Sequence, residues 1–254
     1  MKERITAILQ LPGACVHQQR LTKAFLNQNF PLRNPEKKLL EKGIAEMQWL
    51  ASIKPACANV PPLEDEHYSF EEIQVILVAV KDLDKHGTAA AALLHKHIPY
   101  QLLLAVYDTE QFFWSLADKK RSKADGQKRV VEQETVSPLM SRHYQTGKEE
   151  AYHRELNFAR ADKTHLGALY RHWWAATVEM QAARRRGSYQ PVRYEQTERN
   201  QALLREITEQ EYELNALRAQ MKKLEQMGDR VALNSKMKKC KDRIKELENQ
   251  LKTP

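Results

Sequence analysis

The last sixty or so residues carry two heptad repeats, and these constrain the fold more than any other feature of the chain. The first repeat comprises Leu203, Ile207, Leu214, Leu217, Met221 and Leu224, with Gln210 as its one polar position. The second comprises Leu233, Met237, Cys240, Ile244, Leu247 and Leu251. Apolar residues at alternating spacings of four and three form the seam of a coiled coil.

The two repeats are out of phase, so a single straight helix cannot carry both on one face. Leu233 follows Leu224 by nine residues, two more than a heptad. Between them, Gly228 and Asp229 are typical of a left-handed helix end followed by a new N-cap. The pattern therefore predicts that 195–254 form an antiparallel helical hairpin that turns at Gly228.

The rest of the chain predicts an α+β domain with a mixed sheet over 1–140. Its predicted elements are a helix at 36–50, a strand at 72–80, a helix at 88–97, and strands at 100–107, 111–117 and 129–136. The strand at 72–80 is apolar on both faces, which is typical of a central strand. Residues 141–194 are expected to be a linker and a long helix at 163–186, whose arginines precede Gly187.

Composition limits the class of protein. The chain has 254 residues, 29% of them charged, and a mean hydropathy of −0.69. No apolar run approaches the roughly 20 residues of a membrane span, and 5–11 is too short and polar for a secretory signal. The three cysteines are far apart in sequence, which favours neither a disulfide framework nor a zinc site. We therefore expect a cytoplasmic protein without membrane contact.

Several short motifs resemble one known family. They are Leu11-Pro12, Leu21-Thr22-Lys23, Trp49-Leu50, Asn59, Glu72-Ile73-Gln74-Val75, Ile98-Pro99-Tyr100, Gln226, Val231, Leu233-Asn234 and Lys238. In this order they are similar to the bacterial and archaeal domain-of-unknown-function family 4391, from about residue 8 to residue 251. Members are typically encoded beside helicases and DNA methyltransferases of restriction-like or phage-defence clusters. The resemblance implies a role in handling nucleic acid or supporting those enzymes, and assigns no catalytic residue.

Glu72 and Gln74 are the candidate catalytic residues. Residues two apart on a strand share a face about 6–7 Å apart, so the pair has the spacing of a metal-dependent nuclease motif in which Gln74 replaces the lysine. No second carboxylate is evident to complete a metal site. The alternative is structural, with Glu72 capping the end of a strand and Gln74 bonding to backbone. No metal site and no cofactor is expected.

Two basic segments are the candidate nucleic-acid contacts, within a chain of net charge +8. The residues are Lys119, Lys120, Arg121, Lys123, Arg184, Arg185 and Arg186. Clustered cations beside aromatic residues can hold phosphates without reading sequence. The alternative is that strand ends and helix C-termini carry basic residues in any case.

The function expected is that of a non-catalytic accessory protein which docks a helicase or methyltransferase partner through its hairpin. The partner-binding candidates are Leu217, Leu224, Ile244 and Leu247. The alternatives are an active or degenerate nuclease-like domain and a non-specific nucleic-acid-binding protein. An aspartate and a lysine converging on Glu72 would favour the nuclease, and an exposed apolar stripe on the hairpin would favour the partner.

Overall fold

The computed structural model describes residues 1–122, 129–191, 193–222 and 227–252. The chain divides into two compact units, Met1–Met180 and Gln181–Pro254, which we call the first and second units. The predicted α+β class is confirmed, with a mixed sheet in the first unit and a helical pair in the second.

The first unit alternates short helices with the strands of a sheet. Its helices are α1 (Lys2–Leu9), α2 (Lys23–Asn29), α3 (Asn34–Lys42), α4 (Pro55–Ala58), α5 (Leu83–His97) and α6 (Gly147–Leu156). Its strands are β1 (Val16–Arg20), β2 (Ile44–Ile53), β3 (Leu63–Glu64), β4 (Ser69–Phe70), β5 (Ile73–Val80), β6 (Gln101–Tyr107), β7 (Gln111–Arg121), β8 (Arg129–Val136) and β9 (Met140–Ser141).

The main sheet has the strand order β1-β2-β5-β6-β7-β8, and β9 also pairs with β7. β5 and β6 are parallel and joined through α5, whereas the other neighbours are antiparallel. β5 lies centrally and is buried along nearly its whole length, as its two apolar faces predict. The predicted α5, β6, β7 and β8 are confirmed, although α5 begins earlier and β7 ends later than expected.

The predicted helix at 36–50 is wrong beyond Lys42, because Ile44 begins β2. The pairing of β2 with β5 shifts register between Ile44 and Glu46 and again between Trp49 and Ala51. Each irregularity resets the alternation of side chains between the two faces of a strand. The buried residues therefore fall three apart, a spacing that imitates a helix.

A disulfide joins Cys15 and Cys57, although the spacing of the cysteines did not favour a disulfide framework. The two lie 42 residues apart, but β1 and β2 pair antiparallel and place Val16 opposite Ala51. The Cα atoms are thereby brought to 5.4 Å, within the range that a disulfide spans. A cytoplasmic location stays a prediction.

The second unit contains two long antiparallel helices. A further helix, α7 (Leu166–Arg186), runs from the first unit into the second and is followed by α8 (Tyr194–Met221) and α9 (Met227–Lys252). Arg199 near the start of α8 bonds to the carbonyl of Gln250 near the end of α9. The predicted hairpin is therefore confirmed.

The turn of the hairpin differs from the prediction. Gly228 is the second residue of α9, and among the described glycines only Gly187 has a positive φ. Asp229 lies in the first turn of α9, where its negative charge faces the positive end of the helix dipole. The predicted turn at Gly228 is therefore wrong, because α9 already begins at Met227; residues 223–226 fall outside the described part of the chain.

A membrane-spanning segment is not found in the described residues, since none of their helices combines the necessary length and apolar character.

Candidate functional site

Glu72 lies where the end of β2 meets the start of β5. The antiparallel register places Ser52 opposite Gln74 and brings both side chains to the buried carboxylate. Ser52 Oγ donates to Glu72 Oε1 at 2.6 Å, and Gln74 Nε2 donates to the same oxygen at 2.9 Å. Lys54 Nζ lies 3.3 Å from Glu72 Oε2. We call these four residues the Glu72 corner.

The Glu72 corner revises both interpretations made from the sequence. Gln74 bonds to the Glu72 carboxylate, not to backbone as the structural alternative expected. The positive charge that Gln74 cannot supply comes from Lys54, on the neighbouring strand's extension. In the described ranges, however, no group of three or more histidines, cysteines or acidic residues is placed to hold a metal ion. The corner as described offers one carboxylate, already bonded through both oxygens.

Lys119 is buried, which contradicts its expected place in a basic surface patch. β7 continues to Arg121, and the Lys119 side chain turns inward with only 1% exposure. Its ammonium donates to the carbonyl of Ile98 at 2.7 Å and to that of Tyr100. Burial lowers the pKa of Lys119 to about 7, against the opposing effect of the Glu134 carboxylate.

The carbonyls of Ile98 and Tyr100 precede β6, at the end where β6 and β7 no longer pair. Their pairing stops at Leu103 opposite Leu116, and the Tyr170 hydroxyl lies between the strands beyond that point. It accepts from the Ala117 amide and lies 2.9 Å from the carbonyl oxygen of Leu102. Burial raises the pKa of Tyr170. The gap is therefore filled by internal hydrogen bonds and offers no phosphate site.

A serine–histidine pair joins α5 to β7. His95 Nε2 is 3.0 Å from Ser115 Oγ, and the two residues are 1% and 0% exposed. Burial, with a smaller contribution from the Lys119 charge, lowers the pKa of His95 well below its ordinary value. A nucleophile needs access to its substrate, and both side chains of this pair are enclosed.

Two further cations of the first predicted patch are paired with carboxylates. Lys120 Nζ lies 3.6 Å from Glu132, and Arg121 is paired with Glu64. Lys123 lies outside the described residues. Opposite charges at these distances reduce the positive potential that a phosphate would meet.

The second predicted patch divides into an exposed arginine and two half-buried arginines that bond within the second unit. Arg184 is exposed. Arg185 donates to both carboxylate oxygens of Glu211 at 2.7 and 2.8 Å, and Glu211 raises its pKa. Arg186 donates to the carbonyl of Leu251. Arg185 and Arg186 thus connect the last turn of α7, which belongs to the second unit, to α8 and α9, and nucleic-acid binding by these arginines stays a prediction.

Of the predicted partner-binding residues, Leu217 and Leu247 lie inside the helical pair. Leu247 is fully buried against Leu203 and Ile207, and Leu217 packs near Cys240. Ile244 is half-buried beside both clusters, and Leu224 falls outside the described residues. This packing favours a stabilising role for the seam, and partner binding by these residues stays a prediction.

A groove of about 390 Å³ runs beside the seam. It is lined by Leu214, Asn234, Met237, Lys238, Lys241, Asp242, Ile244 and Lys245, and we call it the hairpin groove. Leu214, Met237 and Ile244 give it an apolar floor, whereas the three lysines are exposed. No carboxylate oxygen of a described residue forms an ion pair with these lysines.

The spacing of three lysines in the sequence was a signal for the hairpin groove. The heptad assignment, which concerns only the apolar positions, did not include it. Lys238, Lys241 and Lys245 are spaced three and four apart, so they share one side of a helix. Met237 and Ile244, seven apart, lie next to that side. The sequence therefore allowed a basic stripe beside the seam to be predicted. The groove itself could not be predicted from this stripe, because Leu214 on the other helix forms part of its lining.

The comparisons with known proteins agree with the resemblance seen in the sequence. The family model for the domain of unknown function DUF4391 matches residues 9–244. The search of curated proteins found no match, and neither did the search of solved structures. Because the family model covers most of the 254 residues, the chain belongs to the DUF4391 family.

Proposed function

We propose that this protein is a non-catalytic interaction module that docks a partner protein through the helical pair of its second unit. The observation that carries the proposal is the hairpin groove, where an apolar floor stands beside three lysines that lack ion pairs within the described residues. Exposed apolar surface bordered by polar residues is typical of protein contact sites.

The partner we propose is a helicase or DNA methyltransferase of a restriction-like or phage-defence cluster. This choice follows from the family resemblance, because members are typically encoded beside such enzymes. The exposed lysines of the hairpin groove would also speed encounter with an acidic surface on the partner.

Affinity capture from the native host tests the proposal. Tagged full-length protein is expected to retain a helicase or methyltransferase, and the double substitution K241E/K245E should reduce its recovery severalfold by reversing charge at the groove. The matched control is K236E/K239E, which makes the same charge change at exposed lysines outside the groove lining. Recovery that falls equally in both variants, or the absence of any retained enzyme, would contradict the proposal.

A nuclease-like activity is the second candidate, and Lys54 beside Glu72 is the observation that favours it. We nevertheless expect purified protein not to cut DNA or RNA with Mg²⁺ or Mn²⁺, because metal-assisted cleavage needs further ligands on the ion. The measurement is a nuclease assay of wild type and Glu72→Ala, with circular dichroism to establish that the variant folds. Metal-dependent cleavage that disappears in the variant would replace the accessory function by the nuclease.

Direct nucleic-acid binding is the weaker third candidate. Of the residues expected to carry it, Lys119 is buried, and Lys120, Arg121 and Arg185 are paired with carboxylates. A cation that is already paired with a carboxylate contributes less binding free energy when it contacts a phosphate backbone and releases its counterions.

A further inference from the structure

Resting on the proposed function, we propose that the occupant of the hairpin groove is an acidic amphipathic helix of the partner protein. The groove would receive the apolar side of that helix, and the lysines along it would pair with glutamates or aspartates on its flank. The inference adds the chemistry of the docking segment to the proposed function.

The shape of the groove suits a helix. Met237 and Ile244 lie seven residues apart on α9, which places them about 10.5 Å apart along the helix axis. Leu214 completes the floor from α8. A helix laid beside this floor can present apolar residues at the same seven-residue spacing and pack as a third helix on the pair.

The size of the groove suits a few side chains of such a helix. Its volume of about 390 Å³ lies near the lower end of the ~300–1,000 Å³ typical of binding pockets. Contacts of this kind concentrate binding energy in a small number of apolar anchors surrounded by a polar rim. The apolar floor of the groove would therefore contact the apolar anchors of the docked helix, and the lysines would form the polar rim of the contact.

The charges select an acidic occupant. The groove is lined by Lys238, Lys241 and Lys245 against the single carboxylate of Asp242. Of the nearby carboxylates, Glu206 and Glu246 pair with Arg243 and not with the lysines of the groove. Among the described residues, none of the three lysines forms an ion pair, and the lining carries three positive charges against one negative charge.

Two other occupants fit less well. A second copy of the chain, docked through the same face about a two-fold axis, would set these lysines against one another, and like charges in contact are unfavourable. A nucleic acid would pair with the lysines but leave the apolar floor of Leu214, Met237 and Ile244 without a matching surface.

Fluorescence anisotropy with designed peptides tests the inference on the full-length protein. The probe is a labelled three-heptad peptide with leucine at its seam positions and glutamate at the flanking positions, compared with an isomer that carries lysine at those flanking positions. We expect the acidic peptide to bind about tenfold more tightly, as a few partly exposed ion pairs would supply. Raising the salt concentration should reduce that preference.

Charge reversal gives the sharper comparison. K241E/K245E should lose the preference for the acidic peptide and gain affinity for the lysine isomer, whereas K236E/K239E should keep the wild-type preference. Should the double reversal lower the helix content measured by circular dichroism, the neutral variant K241Q/K245Q serves instead and is expected to bind both peptides equally.

The results that overturn the inference are distinct from those that overturn the proposed function. Equal binding of both peptides by the wild type rejects an acidic helix as the occupant. So does a loss of the preference for the acidic peptide in K236E/K239E that equals the loss in K241E/K245E. If light scattering finds a dimer that K241E/K245E dissociates, the groove is occupied by a second copy of the chain. That result also rejects an acidic helix of a partner as the occupant. Capture of a helicase or methyltransferase that still depends on Lys241 and Lys245 would leave the proposed function standing in either case.

Discussion

Leu247→Lys is expected to lower the free energy of unfolding of the second unit by roughly 3–5 kcal/mol, because it removes a buried leucine and leaves an unpaired charge in its place. Leu247 is fully buried in a cluster with Leu203, Ile207 and Leu251. Urea unfolding of the full-length protein, followed by circular dichroism at a helical wavelength, measures the loss.

Val231→Lys is the matched control for Leu247→Lys. Val231 lies on the same helix, α9, but is 64% exposed, so the same change of residue type should shift stability by about 0.5 kcal/mol or less. If Leu247→Lys were as mild as Val231→Lys, Leu247 would not lie in a packed seam, and the antiparallel pairing of α8 and α9 would be wrong.

The hairpin was predictable because its information is local. Heptad spacing requires only that apolar residues recur within each helix, and the phase difference between the two repeats requires a reversal. The position of the turn was less predictable, because Gly228 adopts an ordinary helical conformation in α9. A glycine permits a left-handed residue without requiring one.

β2 was not predicted from the sequence because the spacing of its buried residues depends on how it pairs with β5. The two register irregularities against β5 place Ile44, Met47 and Leu50 on the buried side at three-residue intervals. Such intervals have the period of a helix, and only the pairing with β5 shows that the segment is extended. β1 was missed for a different reason, since this edge strand is almost entirely polar and exposed.

Because β2 was not predicted, two of the four residues of the Glu72 corner were not predicted either. Ser52 lies in β2 and Lys54 directly follows it, so their approach to Glu72 depends on the antiparallel register of β2 and β5. Local spacing identified Glu72 and Gln74, which share one strand segment, but could not supply residues from another strand. Contacts between distant parts of the sequence are the information that periodicity lacks.

Lys119 illustrates the limit of reading charge from sequence. Five of the residues from 119 to 128 are lysine or arginine, a composition typical of an exposed basic loop. The structure instead continues β7 through Lys119 to Arg121, and the connection between α5 and β6 supplies the carbonyl oxygens that accept the buried ammonium. Composition gave the charge of the segment but not the direction of its side chains.

Loss of the Cys15–Cys57 disulfide is expected to lower the free energy of unfolding of the first unit by about 4 kcal/mol. The cross-link closes a loop of 42 residues, and its loss restores conformational entropy to the unfolded chain. Thermal unfolding with and without dithiothreitol measures the effect. Cys57→Ser provides the control, because the reductant should shift the wild type but leave this variant unchanged.

The disulfide also bears on the Glu72 corner. Cys57 Sγ lies 3.3 Å from the backbone nitrogen of Lys54, so the cross-link secures the turn that carries Lys54 toward Glu72. Alkylation of the unfolded, unreduced protein followed by mass measurement should modify only Cys240, the free cysteine, and prior reduction should expose all three cysteines of the chain. Three modified thiols without reduction, together with an unfolding temperature insensitive to dithiothreitol, would mean that Cys15 and Cys57 are close but not bonded, and that pairing between β1 and β2 alone holds the turn beside Glu72.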